Sequence, residues 1–378
     1  MNVIHENEDK RRRLRLSVED VMEIRVLPLP EERKKTKYTD ESQLGFGRLF
    51  TDRMLVAEWK AGQGWVDARI EPYAPFSLDP ACMVFHYAQE IFEGLKAYRW
   101  EDETITLFRP EMNARRFNRS AARMCMPEVP EELFLDGIAQ LVSLERAWIP
   151  SSPGTSLYIR PTMIAVEPML GVKPSNHFYF YVILSPVGAY YAAGFNPVSI
   201  LVEDKYVRAV PGGTGEVKTG ANYAASLKAG LEAKKKGYDQ VLWLDGVERR
   251  HIEEVGAMNM FFAYGDRIVT APLGGTILPG ITRESVLRLS LELGCTVEER
   301  QIDVEDLMAD IREGRVTEAF GSGTAAVITP VGKLCYKDEC VQVGNGGVGS
   351  ITQRLYDTLC GIQTGVLPDT FGWLRKID

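Results

Sequence analysis

A chain of 378 residues exceeds the size at which one hydrophobic core stops growing, so two domains are expected. A formal net charge of −8 excludes the basic footprint that nucleic acid or an anionic membrane needs, which leaves small molecules as the expected partners. Six scattered cysteines with no histidine partner set exclude a zinc site, so no metal is expected and reduced thiols in a cytoplasmic protein are.

Residues 1–40 form a charged, loosely ordered lead-in, and its acids at Glu6, Glu8 and Asp9 exclude a transit peptide despite Lys10 to Arg13. A small N-terminal α+β domain follows over 41–187. It has a strand at 54–59, a loop through 72–80, a hairpin of 95–100 and 104–108, and a helix at 110–123 with proline in its first turn. A second helix is expected over 131–147, then strands at 156–166 and 178–184. The uncharged stretch 174–202 is long enough to cross a bilayer, but Ser185, Pro186 and Gly188 break it, and its β-branched and aromatic run reads as a buried strand. Small residues and turn formers make 188–198 the interdomain connector. A larger domain, 199–378, has a strand at 198–203, a helix over 222–236 closed by Gly237, and a strand at 240–244. Short strands then run to Thr270, with helices near 281–294 and 351–361.

Lys218 stands in Pro211-Gly-Gly-Thr-Gly-Glu-Val-Lys-Thr-Gly-Ala-Asn-Tyr223, where small neighbours leave its amine unobstructed. The segment fails as a Walker A loop because Val217 replaces the required glycine, and as a dinucleotide fingerprint because Lys218 does. A Schiff-base lysine, an acid at a pyridinium nitrogen and a phosphate clamp are the three demands of pyridoxal 5'-phosphate. Glu254 can be the acid. Gly274-Gly-Thr-Ile-Leu-Pro-Gly-Ile-Thr282 opens the helix at 281, so Ile281 and Thr282 offer first-turn amides to phosphate, and Thr324 of Gly321-Ser-Gly-Thr324 adds a hydroxyl. Strand alternation over 156–160 puts Tyr158 and Arg160 on one face, where they suit a carboxylate. Taken singly, each has an ordinary reading as a surface lysine, a solvated acid, a capped helix or an outward arginine.

Seven motifs in order give the pattern its specificity. They are His86-Tyr-Ala-Gln-Glu-Ile-Phe-Glu-Gly94, Phe108-Arg-Pro with Arg115-Arg-Phe-Asn-Arg-Ser120, Tyr158-Ile-Arg-Pro161, Val217-Lys-Thr-Gly-Ala-Asn-Tyr223, Glu254-Val-Gly-Ala-Met-Asn259, Leu278-Pro-Gly-Ile-Thr-Arg283 and Gly321-Ser-Gly-Thr-Ala-Ala326. With them, the chain from about Phe46 to Trp373 resembles the branched-chain amino acid aminotransferases of pyridoxal phosphate fold type IV.

The resemblance implies a mixed α and β fold whose larger domain carries a small β-barrel. It makes Lys218 the catalytic lysine, Tyr223 the donor to the cofactor's phenolic oxygen, and Glu254 the ring-nitrogen partner. Arg116, Ile281, Thr282 and Thr324 become the phosphate clamp. Composition alone does not separate Arg116 from Arg115, Arg119 and Arg123. The backbone of Thr324 and Ala325 takes the substrate α-carboxylate, and Tyr87, Phe92, Tyr158, Arg160 and Tyr190 line the side-chain pocket. Substrates are then branched-chain L-amino acids, L-glutamate and their 2-oxo acids. Residues near Leu170-Gly-Val172 resemble those that reach a neighbouring subunit, implying a homodimer or an assembly of dimers. The family's Cys-x-x-Cys pair is replaced by Ala326 and Thr329. A D-amino acid aminotransferase or an aminodeoxychorismate lyase shares the cofactor apparatus, and a silent scaffold shares the fold; Tyr158, Arg160 and Tyr190 favour the branched-chain activity.

Overall fold

The structure is a computed structural model that describes residues 23–188 and 195–378. Its first half is built on strands β1 (Arg25–Val26), β2 (Arg53–Lys60), β3 (Gly64–Pro72), β4 (Glu90–Phe92), β5 (Leu95–Arg99), β6 (Ile105–Phe108), β7 (Ser156–Ala165) and β8 (His177–Val187). Helices α1 (Met83–Tyr87), α2 (Pro110–Arg123) and α3 (Glu131–Leu144) accompany them. The strands order as β1-β3-β2-β8-β7-β5-β6, with β4 paired to β7. Alternation explains which face is covered: Phe178, Phe180, Val182 and Leu184 of β8 all point inward. They meet α2 and α3 through Phe117 and Phe134, whose rings lie 5.5 and 6.0 Å from Phe180. Among the described residues the uncharged stretch supplies β8 and a strand that starts at Val198, and no helix is long and apolar enough to cross a membrane. Of the expected lead-in, residues 1–22 lie outside the described residues, whereas Arg25 and Val26 pair with Arg69 and Ile70.

The second half holds β9 (Val198–Glu203), α4 (Gly220–Lys235), β10 (Gln240–Leu244), β11 (Ile252–Val255), β12 (Met258–Tyr264) and β13 (Arg267–Thr270). Then come α5 (Ile281–Glu292), β14 (Thr296–Glu299), α6 (Val304–Arg312), β15 (Glu318–Gly323), β16 (Val327–Tyr336), β17 (Glu339–Gln342) and α7 (Ser350–Gln363). Strands β11-β10-β9-β16-β15-β12 are paired in sequence and β12 pairs back to β11, closing a six-stranded barrel. Strand β12 reads as a nearly continuous apolar run because it is buried on both faces. Met260 and Phe262 join one core cluster, while Phe261 stacks 5.0 Å from Phe320 and packs with Val286 and Leu289 of α5 and Leu355 and Leu359 of α7. The last strand, β18 (Leu374–Ile377), returns to the first sheet and pairs antiparallel with β6.

One expectation is corrected. Cys335 and Cys340 form a disulfide, because strands β16 and β17 place them directly opposite each other with Cα atoms 4.1 Å apart. Cys82, Cys125, Cys295 and Cys360 are free thiols.

Candidate active site

Lys218 lies just before α4, in the loop that leaves β9, and its backbone is pinned from two sides. Its N–H donates to Ser120 Oγ of α2 at 3.1 Å, and its carbonyl accepts from the Phe92 N–H of β4 at 3.0 Å. Gly215 upstream is a packing requirement, since a side chain there would run into the Thr276 carbonyl and Ala209. The Lys218 amine donates to the Tyr223 hydroxyl at 2.8 Å and lies 5.0 Å from the centre of the Phe92 ring.

A cavity of about 180 Å³ opens at this amine. It brings together Phe92, Arg116, Tyr158, Arg160, Lys218, Tyr223, Ile281, Thr282, Thr324 and Ala325 from elements far apart in the chain. Of the arginines on α2, Arg116 is buried while Arg115, Arg119 and Arg123 face solvent. Arg116 is held by a two-point ion pair with Glu93, at 2.7 and 2.9 Å, and it donates to the Pro279 carbonyl at 3.1 Å. At the start of α5 no side chain caps the helix at Gly280. The first-turn positions Ile281 and Thr282 border the cavity, where an anion would meet the positive end of the helix. Ser322 Oγ is buried at the same wall without a hydrogen-bond partner. A lysine, an arginine, an uncapped helix start and spare hydroxyls fit an anionic aldehyde such as pyridoxal phosphate.

Glu254 lies behind this wall. Its carboxylate accepts from the Leu278 N–H at 2.7 Å and pairs with Arg208 Nε at 3.0 Å. Burial pushes its carboxyl above the usual range, and the Arg208 charge opposes that shift. Arg208 was invisible in the sequence, since it is one of 44 Lys and Arg residues with no local motif. It is fixed by donating to the carbonyls of Thr276 and Gly215, at 2.7 and 3.1 Å. Two more residues belong to the site without a local signal. Phe46 lines the cavity with its ring 5.0 Å from Tyr158. Lys96, whose amine burial lowers to about 8, donates to the Ala325 carbonyl at 2.7 Å and so orients that turn.

Tyr87 corrects an expectation, because it does not line the cavity of its own chain. Helix α1 ends there with Ala88 in the left-handed region, and the Tyr87 side chain turns outward, 40% exposed, to donate to the Leu170 carbonyl. Tyr190 lies outside the described residues.

The position of Arg208 carries a testable consequence. In Arg208→Met the Glu254 carboxyl loses its opposing charge and its pKa rises further, so a larger fraction is protonated at neutral pH. Wherever the reaction needs the carboxylate, the acidic limb of the pH–rate profile then moves to higher pH, and the rate at neutral pH falls by about tenfold. Arg208→Lys, which keeps a charge, moves the limb less. Single-turnover rates across pH are the measurement, and an unmoved limb in Arg208→Met removes Arg208 from this role.

Comparison with known proteins agrees with this geometry. Residues 90–334 match the family model described as amino-transferase class IV. The chain is 53% identical over 344 residues to branched-chain-amino-acid aminotransferase 2 of Bacillus subtilis, covering 91% of this chain and 94% of that protein. Among solved structures, the branched-chain amino acid aminotransferase of Escherichia coli superposes with a TM-score of 0.71 at 28% identity, over 85% of this chain and 99% of that one. The T.th. branched-chain amino acid aminotransferase, complexed with N-(5'-phosphopyridoxyl)-L-glutamate, gives 0.70 at 28% identity, over 85% and 98%.

Proposed function

The chain belongs to the class IV aminotransferase family, as a pyridoxal phosphate-dependent branched-chain amino acid transaminase, and from that premise we propose how its residues divide the work. The reaction is a reversible ping-pong transfer of the amino group between L-leucine, L-isoleucine or L-valine and 2-oxoglutarate, giving branched 2-oxo acids and L-glutamate.

The observation that carries the assignment of roles is the Lys218 amine at 2.8 Å from the Tyr223 hydroxyl, at the mouth of a cavity walled by the start of α5. When bound, pyridoxal phosphate supplies an electron-withdrawing ring that stabilises negative charge at the substrate α-carbon. Lys218 Nζ attaches the cofactor, takes the α-proton of the amino donor, and returns a proton when the acceptor is aminated. Tyr223 orients that amine and would donate to the phenolic oxygen of the bound cofactor. Glu254, whose charge is supported by the Arg208 ion pair, would hold the proton on the ring nitrogen of the bound cofactor. Arg116, the amides of Ile281 and Thr282, and the Thr324 hydroxyl hold the phosphate. The turn at Thr324 and Ala325, oriented by Lys96, takes the α-carboxylate. Phe92, Tyr158 and Phe46 offer ring surfaces to a branched side chain, and Arg160 offers charge to the distal carboxylate of glutamate.

We further place the 188–198 connector between the small domain and the cofactor-bearing domain, and a second copy of the chain against the exposed Phe85, Leu170 and Val172 beside Tyr87. In that arrangement Tyr87 serves the neighbouring copy's pocket, and sedimentation velocity reads the stoichiometry. An amino-donor panel with 2-oxoglutarate as acceptor, followed by glutamate detection, tests the function. Branched-chain donors should lead it, and a panel led by D-alanine would overturn the assignment.

A further inference from the structure

Arg160 does not stand alone on its face of the first sheet. In the antiparallel pairing of β4 with β7, Glu90 lies opposite Ile164 and Phe92 opposite Thr162. Side chains alternate along each strand and paired residues share a face, so Glu90, Phe92, Tyr158, Arg160 and Thr162 all project to one side. Phe92 contacts the guanidinium, with Arg160 Cζ 4.8 Å from its ring centre, and Glu90 is the next residue of β4 on that side.

The Glu90 carboxylate is held in place from the opposite domain. Helix α4 starts at Gly220 with no side-chain cap from Thr219, and Glu90 supplies what is missing by accepting from the Gly220 N–H. The next polar link along the same edge joins Phe92 N–H to the Lys218 carbonyl. Glu90 is therefore a fixed, half-buried acid on the sheet face that carries Phe92 and Arg160. Burial raises its carboxyl above the usual range, while the Gly220 amide and the Arg160 charge oppose the rise. Among the described residues, Arg160 Nε is buried without a hydrogen-bond partner, and its terminal nitrogen donates to the Tyr158 hydroxyl at 3.2 Å. The acid shares the sheet face of the arginine and, among the described residues, forms no hydrogen bond with it.

We propose that Glu90 is a specificity-determining positioning residue, a built-in counter-charge that weakens the hold of Arg160 on a distal carboxylate and so balances glutamate against branched-chain substrates in one pocket. The inference rests on the reading of Arg160 given above. A pocket that alternates between a dicarboxylate and an aliphatic substrate must release the first readily, and a partly neutralised arginine does this without an apolar residue having to move.

Glu90→Gln tests it, because the amide oxygen still accepts from Gly220 while the charge is gone. The half-reactions of the holoenzyme are followed separately. KM for glutamate and for 2-oxoglutarate should fall by about two- to fivefold, as expected when one fixed counter-charge no longer draws on the guanidinium in a partly screened site. The leucine half-reaction should stay within about twofold. A double variant with Arg160→Met supplies the control: without the guanidinium, the Glu90 substitution should no longer sharpen glutamate binding. Parallel changes for glutamate and leucine, or an equal effect of Glu90→Gln with and without Arg160, would overturn the proposal and leave Glu90 as a helix cap only. If Arg160→Met alone shows no preference for glutamate, the reading of Arg160 fails instead.

Discussion

Lys218→Ala abolishes transamination and removes the borohydride-reducible bond between protein and cofactor. The contacts around Lys218 aim its amine: the Ser120 and Phe92 hydrogen bonds fix the backbone, and the Tyr223 hydroxyl accepts from the amine. A general base contributes roughly 10²- to 10⁴-fold, and here the same group also attaches the cofactor, so the half-reaction with leucine should fall by about 10³-fold or more. Peptide mapping after borohydride reduction checks attachment, and single-turnover kinetics check the rate. The informative competitor is Lys96, a buried lysine whose amine donates to the Ala325 carbonyl. A variant that is labelled at Lys96 and turns over normally would move the chemistry away from Lys218.

Arg160→Met separates the two substrates. The guanidinium sits between ring faces, with Cζ 4.8 Å from the Phe92 centre and 5.3 Å from that of Tyr158, so much of its support is aromatic and survives in methionine. What the substitution removes is a charged donor. Loss of such a contact costs roughly 1.5 to 3 kcal/mol, so kcat/KM for glutamate and 2-oxoglutarate should drop by about ten- to a hundredfold while leucine changes much less. Stopped-flow measurement of each half-reaction is required, because steady-state rates mix them. Equal losses for both substrates would mean that Arg160 organises the pocket as a whole.

Much of the architecture was legible because local rules govern it. Helix α2 begins where proline is tolerated and ends as its apolar face runs out, so the expected and observed spans coincide. The β-branched and aromatic run of β8, with Ser185, Pro186 and Gly188 at its end, identified a strand in a stretch otherwise long enough to cross a membrane. Strand β18 was missed, since a four-residue segment acquires its identity only from pairing with β6. Closure of the barrel followed from resemblance alone, because strand order has no periodic signature.

The site divides along the same line. By itself the sequence determined the residue types that the chemistry demands, with Lys218, Glu254 and the glycine-rich helix start in order, because each sits in a short segment whose small or turn-forming neighbours are part of its function. Only the tertiary structure decided that Arg116 is buried while its helix neighbours are not, that Glu254 is paired with Arg208, that Lys96 holds the Ala325 turn, and that Tyr87 faces away from its own cavity. Those are relations between strands and helices distant in the chain. They depend on which buried charges meet across the fold, and a buried charge leaves no local pattern, since the partner that makes its burial tolerable is chosen by packing and not by spacing.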